Sequence, residues 1–439
     1  MKANLLIKIL VLSIFISAFG LEWKSIYPSA RRSATMIVDS LNQRIILFGG
    51  TSYYLNNRWY NDLWEMPLNN PGRYAWFPLS AAGNLPLPRC DHSAVYDQRH
   101  QRMLIFGGWV EEGLTNDVWS LDLTLGQERW ERLNPSGTPP VPRYDAYTIY
   151  HPRRNSLIIF GGTGDYVWYN DLWELKLDSL VWREINVSGE RPTPRGGGGE
   201  FFDRTNNRMI IFGGSAYSTW YNEVWALDLT PGNEQWSQLY PTGPLPTPRS
   251  DFSYGYDKNR NRFYIFCGWN YNLGRLFNDT YVLDLSSLTW TQLFPAGEIP
   301  EERRNIVGVY DYFNDNFFVF GGDMGGSYYL FETYYLQLPS GIGEWKMTSN
   351  LSTPYLSVQS PANKSCQIRF LLPNLEGVKI RILDLTGRLI KEIYSGKSLS
   401  ECLFWDGTDK RNKKVGSGSY FCELETETEI LRKRFIFLP

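Results

Sequence analysis

The chain has 439 residues and a net charge of −2, with 44 Lys and Arg against 46 Asp and Glu. A charge balance so close to zero argues against a nucleic-acid-binding surface built on bulk positive charge. Three histidines and five cysteines supply few metal ligands, and the one close pair, Cys90 and His92, is too small a set for a metal site. We therefore predict no metal and no other cofactor.

Residues 1–20 have the order of a secretory signal peptide. Lys2 and Lys8 lie near the start, an apolar stretch runs from Ile9 to Phe19, and small residues at Ala18 and Gly20 suit cleavage after residue 20. The alternative is an uncleaved anchor helix, but the stretch is shorter than the ~20 residues needed to cross a bilayer. We therefore expect an exported protein that is secreted or lies at the cell surface, with no transmembrane segment after cleavage.

One set of signals returns six times between residues 21 and 348. A short apolar run ends in a diglycine, once as Cys-Gly, at intervals of 58, 54, 52, 54 and 54 residues. An Asn-Asp-x-Trp segment or a variant follows, and then another tryptophan. The β-branched and aromatic content, broken by Gly, Pro, Asn and Asp, predicts four strands per repeat and an all-β fold. Six antiparallel units favour a closed ring, which leaves no long sheet edge exposed. The second residues of the six pairs are Gly50, Gly108, Gly162, Gly214, Gly268 and Gly322.

These repeats resemble kelch repeats, whose double glycine and two spaced aromatic residues match well in five copies and loosely in the sixth. The resemblance covers residues 21–348 and implies a six-bladed kelch-type β-propeller. Two stretches compete for the outer strand of the last blade, Trp23–Pro28 and Trp345–Thr348. The second lacks the apolar and proline positions of the other fourth strands. We therefore expect the N-terminal stretch to complete the last blade and the Trp345 stretch to lead into a linker.

Residues 349–364 are rich in Ser, Thr, Pro and Asn, which is typical of an interdomain linker. Alternating polar and apolar residues return in residues 365–439 and predict a small β-sandwich. This segment resembles the Ig-like C-terminal domains of flagellar hook-capping proteins and the sorting domains of type IX secretion substrates. The matching landmarks are Phe370–Pro373, Asp384–Arg388, Trp405–Gly407, Ser417–Phe421 and Lys433–Leu438. The resemblance implies a bacterial protein with a C-terminal export or surface-attachment domain.

Two details of this segment stay open. The sorting form commonly has Lys or Arg near its end, whereas this chain closes with Phe437-Leu438-Pro439. The odd number of cysteines leaves at least one without an intrachain partner. If a disulfide forms, Cys402 with Cys422 is the first pair to examine.

An arginine stands 18 residues before the first residue of every diglycine pair, where the innermost strand of each blade begins. In an up-and-down blade the loops between strands 4 and 1 and between strands 2 and 3 share one face, so the arginines should encircle the channel mouth there. Forked guanidinium groups suit a ligand carboxylate. The six predicted ligand-binding arginines are Arg31, Arg89, Arg143, Arg195, Arg249 and Arg303. Alternatively, they pair with recurring acids and serve the fold alone; those acids are Asp62, Asp117, Asp171, Glu223, Asp279 and Glu332.

The loops between strands 2 and 3 reach the same face and carry aromatic residues that differ from blade to blade. Such loop-tip residues are better recognition candidates than residues that repeat in every blade. We predict that ligand binding uses Tyr54, Trp109, Trp168, Trp220, Trp269 and Tyr328. The tyrosines directly before Asn-Asp or Asn-Glu are expected to serve packing; they are Tyr60, Tyr169 and Tyr221.

These features indicate a non-catalytic binding protein that recognises a glycan or a protein on the Arg- and aromatic-lined face. One alternative is an isomerase similar to the sugar mutarotases built on six kelch blades, with Glu200 as acid or base if it faces the channel. A surface position for Glu200 is the simpler expectation. A third alternative is a structural component of the cell surface. We predict no nucleic-acid partner under any of these three functions.

Overall fold

The computed structural model describes residues 28–52, 58–297, 299–325, 329–338, 344–347, 355–358, 362–363, 365–427 and 429–438. The predicted signal peptide, the Trp23–Pro28 stretch up to residue 27, Tyr54 and Tyr328 lie outside the described residues. Six four-stranded antiparallel sheets follow one another in residues 35–347, and we call them blades 1 to 6. Within the described part of the chain, no helix is long and apolar enough to cross a membrane.

Each blade has its strands in the order 1-2-3-4, with the first strand innermost. The first strands are Thr35–Asp39, Ser93–Asp97, Tyr147–His151, Gly199–Asp203, Ser253–Asp257 and Val307–Asp311. The second strands are Arg44–Phe48, Arg102–Val110, Ser156–Thr163, Arg208–Phe212, Arg262–Phe266 and Asn316–Phe320. The third strands are Leu63–Pro67, Gly113–Asp122, Trp168–Lys176, Val224–Asp228, Thr280–Asp284 and Thr333–Gln337. The fourth strands are Phe77–Leu79, Arg129–Leu133, Val181–Glu184, Gln235–Leu239, Thr289–Leu293 and Glu344–Met347. Short two-residue strands flank them at Ala82–Gly83, Arg89–Cys90, Ser215–Ala216, Thr219–Trp220, Trp269–Asn270, Arg275–Leu276 and Ala296–Gly297.

The core of the ring lies between neighbouring blades. The second strands read as continuous apolar runs because a blade covers each of their faces; all five residues of Arg44–Phe48 are buried. Each pair of adjacent blades shares a hydrophobic cluster. In the cluster that joins blade 6 to blade 1, Phe318 and Phe320 pack with Leu47 and Trp64, which closes the ring. The predicted all-β fold is confirmed.

The two positions of each diglycine have different backbone conformations. The first has φ between 62° and 71°, and the second has φ between 90° and 98°. Non-glycine residues reach the first range at modest cost, but the second suits glycine. Cys267, with φ of 67°, occupies a first position, and Gly268, with φ of 95°, keeps the second. A Cβ atom on Gly268 would lie 2.8 Å from the Ser250 carbonyl oxygen, so the backbone approach also requires glycine.

The sixth blade takes its outer strand from the Trp345 segment. Glu344–Met347 pairs antiparallel with Thr333–Gln337, and Trp345 lies opposite Leu336. The prediction that this segment leads into the linker is therefore wrong. The missing proline and apolar position did not prevent pairing, because backbone groups form the ladder.

Residues 355–438 form a further β-sheet with its own core. Its strands are Tyr355–Val358, Ala362–Asn363, Cys366–Leu383, Leu389–Trp405, Gly418–Glu425 and Ile430–Leu438. The two long strands pair with each other through register shifts. The Trp405 ring packs against Phe435 and Phe437 in this core. Cys422 is a buried free cysteine, so the Cys402–Cys422 disulfide is not formed; Cys422 lies opposite Ile382, whereas Cys402 lies opposite Arg369 in another part of the sheet.

Candidate functional site at one mouth of the channel

The arginines that precede the first strands are buried inside their blades. In blade 3, Nη1 and Nη2 of Arg143 donate to the two carboxylate oxygens of Asp171 at 2.6 and 2.8 Å. Nη1 also donates to the Gly161 carbonyl oxygen at 2.8 Å, and Nε donates to the Val141 carbonyl oxygen at 3.0 Å. The Arg143 side chain is fully buried. This arrangement joins the inner strand, the diglycine and the third strand of one blade.

The pairing of Arg143 with Asp171, which we call the Arg latch, has counterparts in the other five blades. Two-pronged bonds join Arg31 to Asp62, Arg89 to Asp117 and Arg249 to Asp279. The bond is single between Arg195 and Glu223, and Arg303 lies 3.8 Å from Glu332. The predicted ligand-binding role of Arg31, Arg89, Arg143, Arg195, Arg249 and Arg303 is therefore wrong, because each buried guanidinium is already bound within its own blade. The structural alternative, pairing with the recurring acids, is what the structure contains.

The tyrosines before the acidic segments complete these latches. The guanidinium carbon of Arg143 lies 4.2 Å from the centre of the Tyr169 ring, and those of Arg31 and Arg195 lie 3.9 and 3.8 Å from Tyr60 and Tyr221. Because these arginines stack on the tyrosine rings and bind the recurring acids, they have a structural role. The packing role predicted for the three tyrosines is confirmed.

The innermost point of this face is a ring of six residues, each two positions after a latch arginine. The amide of each residue donates to the carbonyl oxygen of its counterpart in the preceding blade, at 2.8 to 3.2 Å, and the ring closes from Ser33 to Asn305. All six have φ between 52° and 69°, a left-handed conformation that favours Asn, Asp and Gly. We call this set the axial ring; it consists of Ser33, Asp91, Asp145, Gly197, Asp251 and Asn305.

The three carboxylates of the axial ring feel the charges of two arginines: Arg32 acts on Asp91 and Asp145, and Arg304 acts on Asp251. Both arginines also bind Asp323, at 3.3 and 3.1 Å. A Cβ atom on Gly197 would meet Asp251 Oδ1 at 2.8 Å and Asp145 Oδ2 at 3.7 Å, so the absent side chain leaves room for both carboxylates. In the described part of the chain, no three His, Cys, Asp or Glu side chains converge as metal ligands would.

Burial raises the pKa of two carboxyl groups of the axial ring, Asp145 and Asp251, and repulsion between neighbouring carboxylates adds to the shift. Burial raises the pKa of Asp145 well above its usual range, and the negative charges of Asp91 and Asp251 add to the shift. Burial raises the pKa of Asp251 to about 6, although hydrogen bonds from Ser250 and Trp269 oppose the change. A positive group placed here would relieve the repulsion between these carboxylates.

Glu200 faces the channel, so the expectation of a surface position is wrong. It lies on the first strand of blade 4 and lines the central cavity with Thr148 and Tyr254. One carboxylate oxygen accepts a hydrogen bond from the Thr148 amide at 3.2 Å. Burial raises the pKa of Glu200 to about 8, against the hydrogen bonds from Tyr254 and Thr148. The four glycines that precede it leave space for neighbouring groups: a Cβ on Gly198 would lie 2.3 Å from the Tyr147 hydroxyl.

Aromatic residues of blades 3 to 5 form two neighbouring groups outside the axial ring. The Trp168 and Tyr217 rings are 4.5 Å apart, and Trp220 lies 6.1 and 6.2 Å from Trp269 and Tyr271. Tyr217 and Tyr271 expose 68% and 67% of their surfaces. We call these five residues the aromatic patch. It reaches the axis through Trp269, whose indole nitrogen donates to Asp251 at 2.7 Å.

The remaining predicted recognition residues have different outcomes. Trp109 is 40% exposed and packs 5.5 Å from Tyr144, apart from the aromatic patch. Trp168, Trp220 and Trp269 lie in the patch, on the face predicted for them. Tyr54 and Tyr328 lie outside the described residues, so they stay predictions.

A central cavity of about 430 Å³ extends between the axial ring and the far ends of the first strands. Acidic and aromatic side chains line it, including Asp145, Glu200 and Tyr254. Sequence reasoning missed the axial ring, although its signal was present. A small polar residue or glycine stands two positions after every latch arginine.

These features define the class of protein: a closed ring of β-sheet repeats with a channel mouth built from loop residues. The chain belongs to the KLHDC2/KLHL20/DRC7 Kelch-repeats domain family, whose model matches residues 17–197 and 123–322. The solved structure of YjhT is similar in fold, with a TM-score of 0.55 and 16% identity, covering 73% of this chain and 98% of that one.

Longer proteins contain similar repeats. The flagellar outer-arm dynein alpha chain of Chlamydomonas reinhardtii is 29% identical over 272 residues, which is 58% of this chain and 6% of that protein. The leucine-zipper-like transcriptional regulator 1 homolog of Drosophila melanogaster is 31% identical over 235 residues, 50% of this chain and 23% of its own length. An acyl-CoA-binding domain-containing protein 5 of Arabidopsis thaliana is 27% identical over 313 residues, 68% of this chain and 45% of its own. The chain thus spans less than half the length of the curated relatives it matches.

Proposed function

We propose that this chain is an exported, non-catalytic protein-binding propeller. Its partner presents a Lys- or Arg-bearing segment to the mouth formed by the axial ring and the aromatic patch. The observation that carries the proposal is the cluster of three carboxylates, Asp91, Asp145 and Asp251, beside exposed aromatic rings. The left-handed backbone explains why small polar residues occupy these positions, but it does not require three of them to be acids.

The chemistry of the mouth favours a cation over the acidic ligand that an arginine ring would have bound. A guanidinium or ammonium group gains ion pairs with the carboxylates and cation–π contacts with Trp and Tyr faces. Aromatic residues are also enriched among the residues that dominate binding at protein interfaces. Family membership supports a protein partner, since the relatives carry these repeats inside larger multidomain proteins. The export part of the proposal rests on residues 1–20, and attachment at the cell surface rests on residues 365–439.

The test is calorimetric binding of a synthetic Lys- and Arg-rich peptide, with a Glu-substituted peptide of the same length and neutral oligosaccharides as comparisons. We expect the basic peptide alone to bind, and binding to weaken with added salt. Asp145→Asn and Tyr217→Ala should each weaken it about tenfold, a change of roughly 1.4 kcal/mol. Tyr240→Ala is the matched control, because Tyr240 follows the outer strand of blade 4 and is 73% exposed.

Preferential binding of the acidic peptide or of a neutral sugar would contradict a basic partner. Equal binding by Asp145→Asn, Tyr217→Ala and the parent chain would remove the axial ring and the patch from the interface.

Glu200 favours one second candidate, a sugar isomerase. A carboxyl group with a pKa near 8 inside a cavity is suited to both donating and accepting a proton at neutral pH. If this candidate is right, the chain accelerates the interconversion of sugar anomers followed by proton NMR, and Glu200→Gln lowers the rate about a hundredfold or more. A rate equal to that of buffer with a panel of neutral and acidic sugars would exclude it.

A further inference from the structure

Two cations line the opposite mouth of the channel. Arg204 and Lys258 directly follow the first strands of blades 4 and 5, so they occupy equivalent positions in adjacent blades. Both line the central cavity. The acids that precede them, Asp203 and Asp257, are buried and bind other arginines. Among the described residues, neither Arg204 nor Lys258 has an acidic partner.

The two positive charges act on each other. Burial lowers the pKa of Lys258, and the charge of Arg204 lowers it further. Lys258 Nζ lies 3.6 Å from the centre of the Tyr312 ring. This cation–π contact holds the ammonium at the mouth but leaves its charge uncompensated. Like charges at a partly buried site repel one another, and an anion between them would remove that cost.

A tyrosine hydroxyl adds a neutral donor to this mouth. Burial raises the pKa of Tyr256 and Tyr312, so both phenols stay protonated at neutral pH. The Tyr256 hydroxyl donates its hydrogen to Asn261 Oδ1 at 2.8 Å, so Tyr312 is the phenol that can donate to a ligand. Both tyrosines line the same cavity. A guanidinium, an ammonium and the Tyr312 phenol are a donor set suited to the oxygens of a carboxylate or phosphate group.

We propose that Arg204 and Lys258, with Tyr312, form a binding site for a small molecule that carries a carboxylate or phosphate group. The anionic group binds at the mouth, and the rest of the molecule extends into the cavity between the inner strands. This site lies at the opposite end of the channel from the axial ring. It is therefore independent of the protein-binding function proposed above.

The experiment is isothermal titration calorimetry of the full chain with inorganic phosphate and, separately, with citrate, at constant ionic strength set by chloride. We expect one of these anions to bind, and the double variant Arg204→Ala, Lys258→Met to weaken binding tenfold or more. The methionine keeps an apolar stem against Tyr312. Arg153→Ala is the control with unchanged affinity, because Arg153 is an exposed cation in the corresponding turn of blade 3 and does not line the cavity.

Binding of phosphate alone assigns the site to phosphorylated ligands, and binding of citrate alone assigns it to carboxylates. Absence of binding by both anions overturns the proposal. Equal affinity in the double variant and the parent also overturns it, provided that circular dichroism shows both to be folded.

Discussion

Arg143→Ala is expected to lower the free energy of unfolding by about 3 kcal/mol, because it leaves the Asp171 carboxylate without its buried partner. It also removes the bond to the Gly161 carbonyl, which fixes the diglycine against the inner strand. Urea denaturation at neutral pH, followed by far-UV circular dichroism, measures the change. The Arg latch is thus expected to contribute to the stability of the fold rather than to ligand binding.

Two companion variants make this result specific. Arg153→Ala removes an exposed arginine of the same blade and should change stability by no more than about 0.5 kcal/mol. Arg303→Ala should cost less than Arg143→Ala, because Arg303 lies 3.8 Å from Glu332, beyond direct hydrogen bonding. A loss below about 1 kcal/mol for Arg143→Ala would mean that the latch contributes no more than an exposed ion pair.

Glu200→Gln is expected to stabilise the chain at alkaline pH and to leave its stability unchanged at acidic pH. The folded-state pKa of Glu200 is about 8, above the usual value of 4.5. Below pH 4.5 the carboxyl is protonated in both states. Between 4.5 and 8 the unfolded chain loses the proton while the folded chain keeps it, so stability falls as pH rises. Above pH 8 the full cost of the buried charge is present, on the order of 5 kcal/mol.

Urea denaturation of parent and variant at pH 4, 6, 8 and 9 tests this prediction. The two should coincide at pH 4 and separate progressively up to pH 8. Glu131→Gln, on the exposed outer strand of blade 2, should follow the parent at every pH. If the free energies of unfolding of Glu200→Gln and the parent differ by the same amount at every pH, the carboxyl is solvated. The isomerase candidate then loses its acid–base group.

The repeat pattern was sufficient to predict the ring, and the reasons are local. A glycine that must adopt φ near 95° recurs once per blade, so its spacing reports the size of the unit. The Arg143–Asp171 pair was visible as two recurring residues, but spacing could not distinguish an inward guanidinium from one at the mouth. Burial decides that point, and burial depends on the packing of whole blades.

The face of Glu200 could not be predicted because adjacent residues on a strand point to opposite sides. A shift of one residue in the assumed start of Gly199–Asp203 exchanges the channel for the blade interior. The axial ring was missed for a related reason. Its residues lie before the first strands, in a left-handed turn that apolar periodicity does not mark. The Trp345 strand was misplaced because side-chain preference was weighed over backbone pairing.

In the axial ring, the backbone amide and carbonyl of all six residues are hydrogen-bonded to the neighbouring blades. A visiting molecule at the axis therefore meets side chains at five of the six positions and the bare backbone of Gly197 at the sixth. Six positions, one per repeat, set the chemistry of that aperture while the scaffold beneath stays constant. Exchanging a serine for an aspartate at one of these positions changes the local charge without changing the fold. The propeller backbone is therefore constant, and the six axial-ring residues determine what the channel mouth can bind.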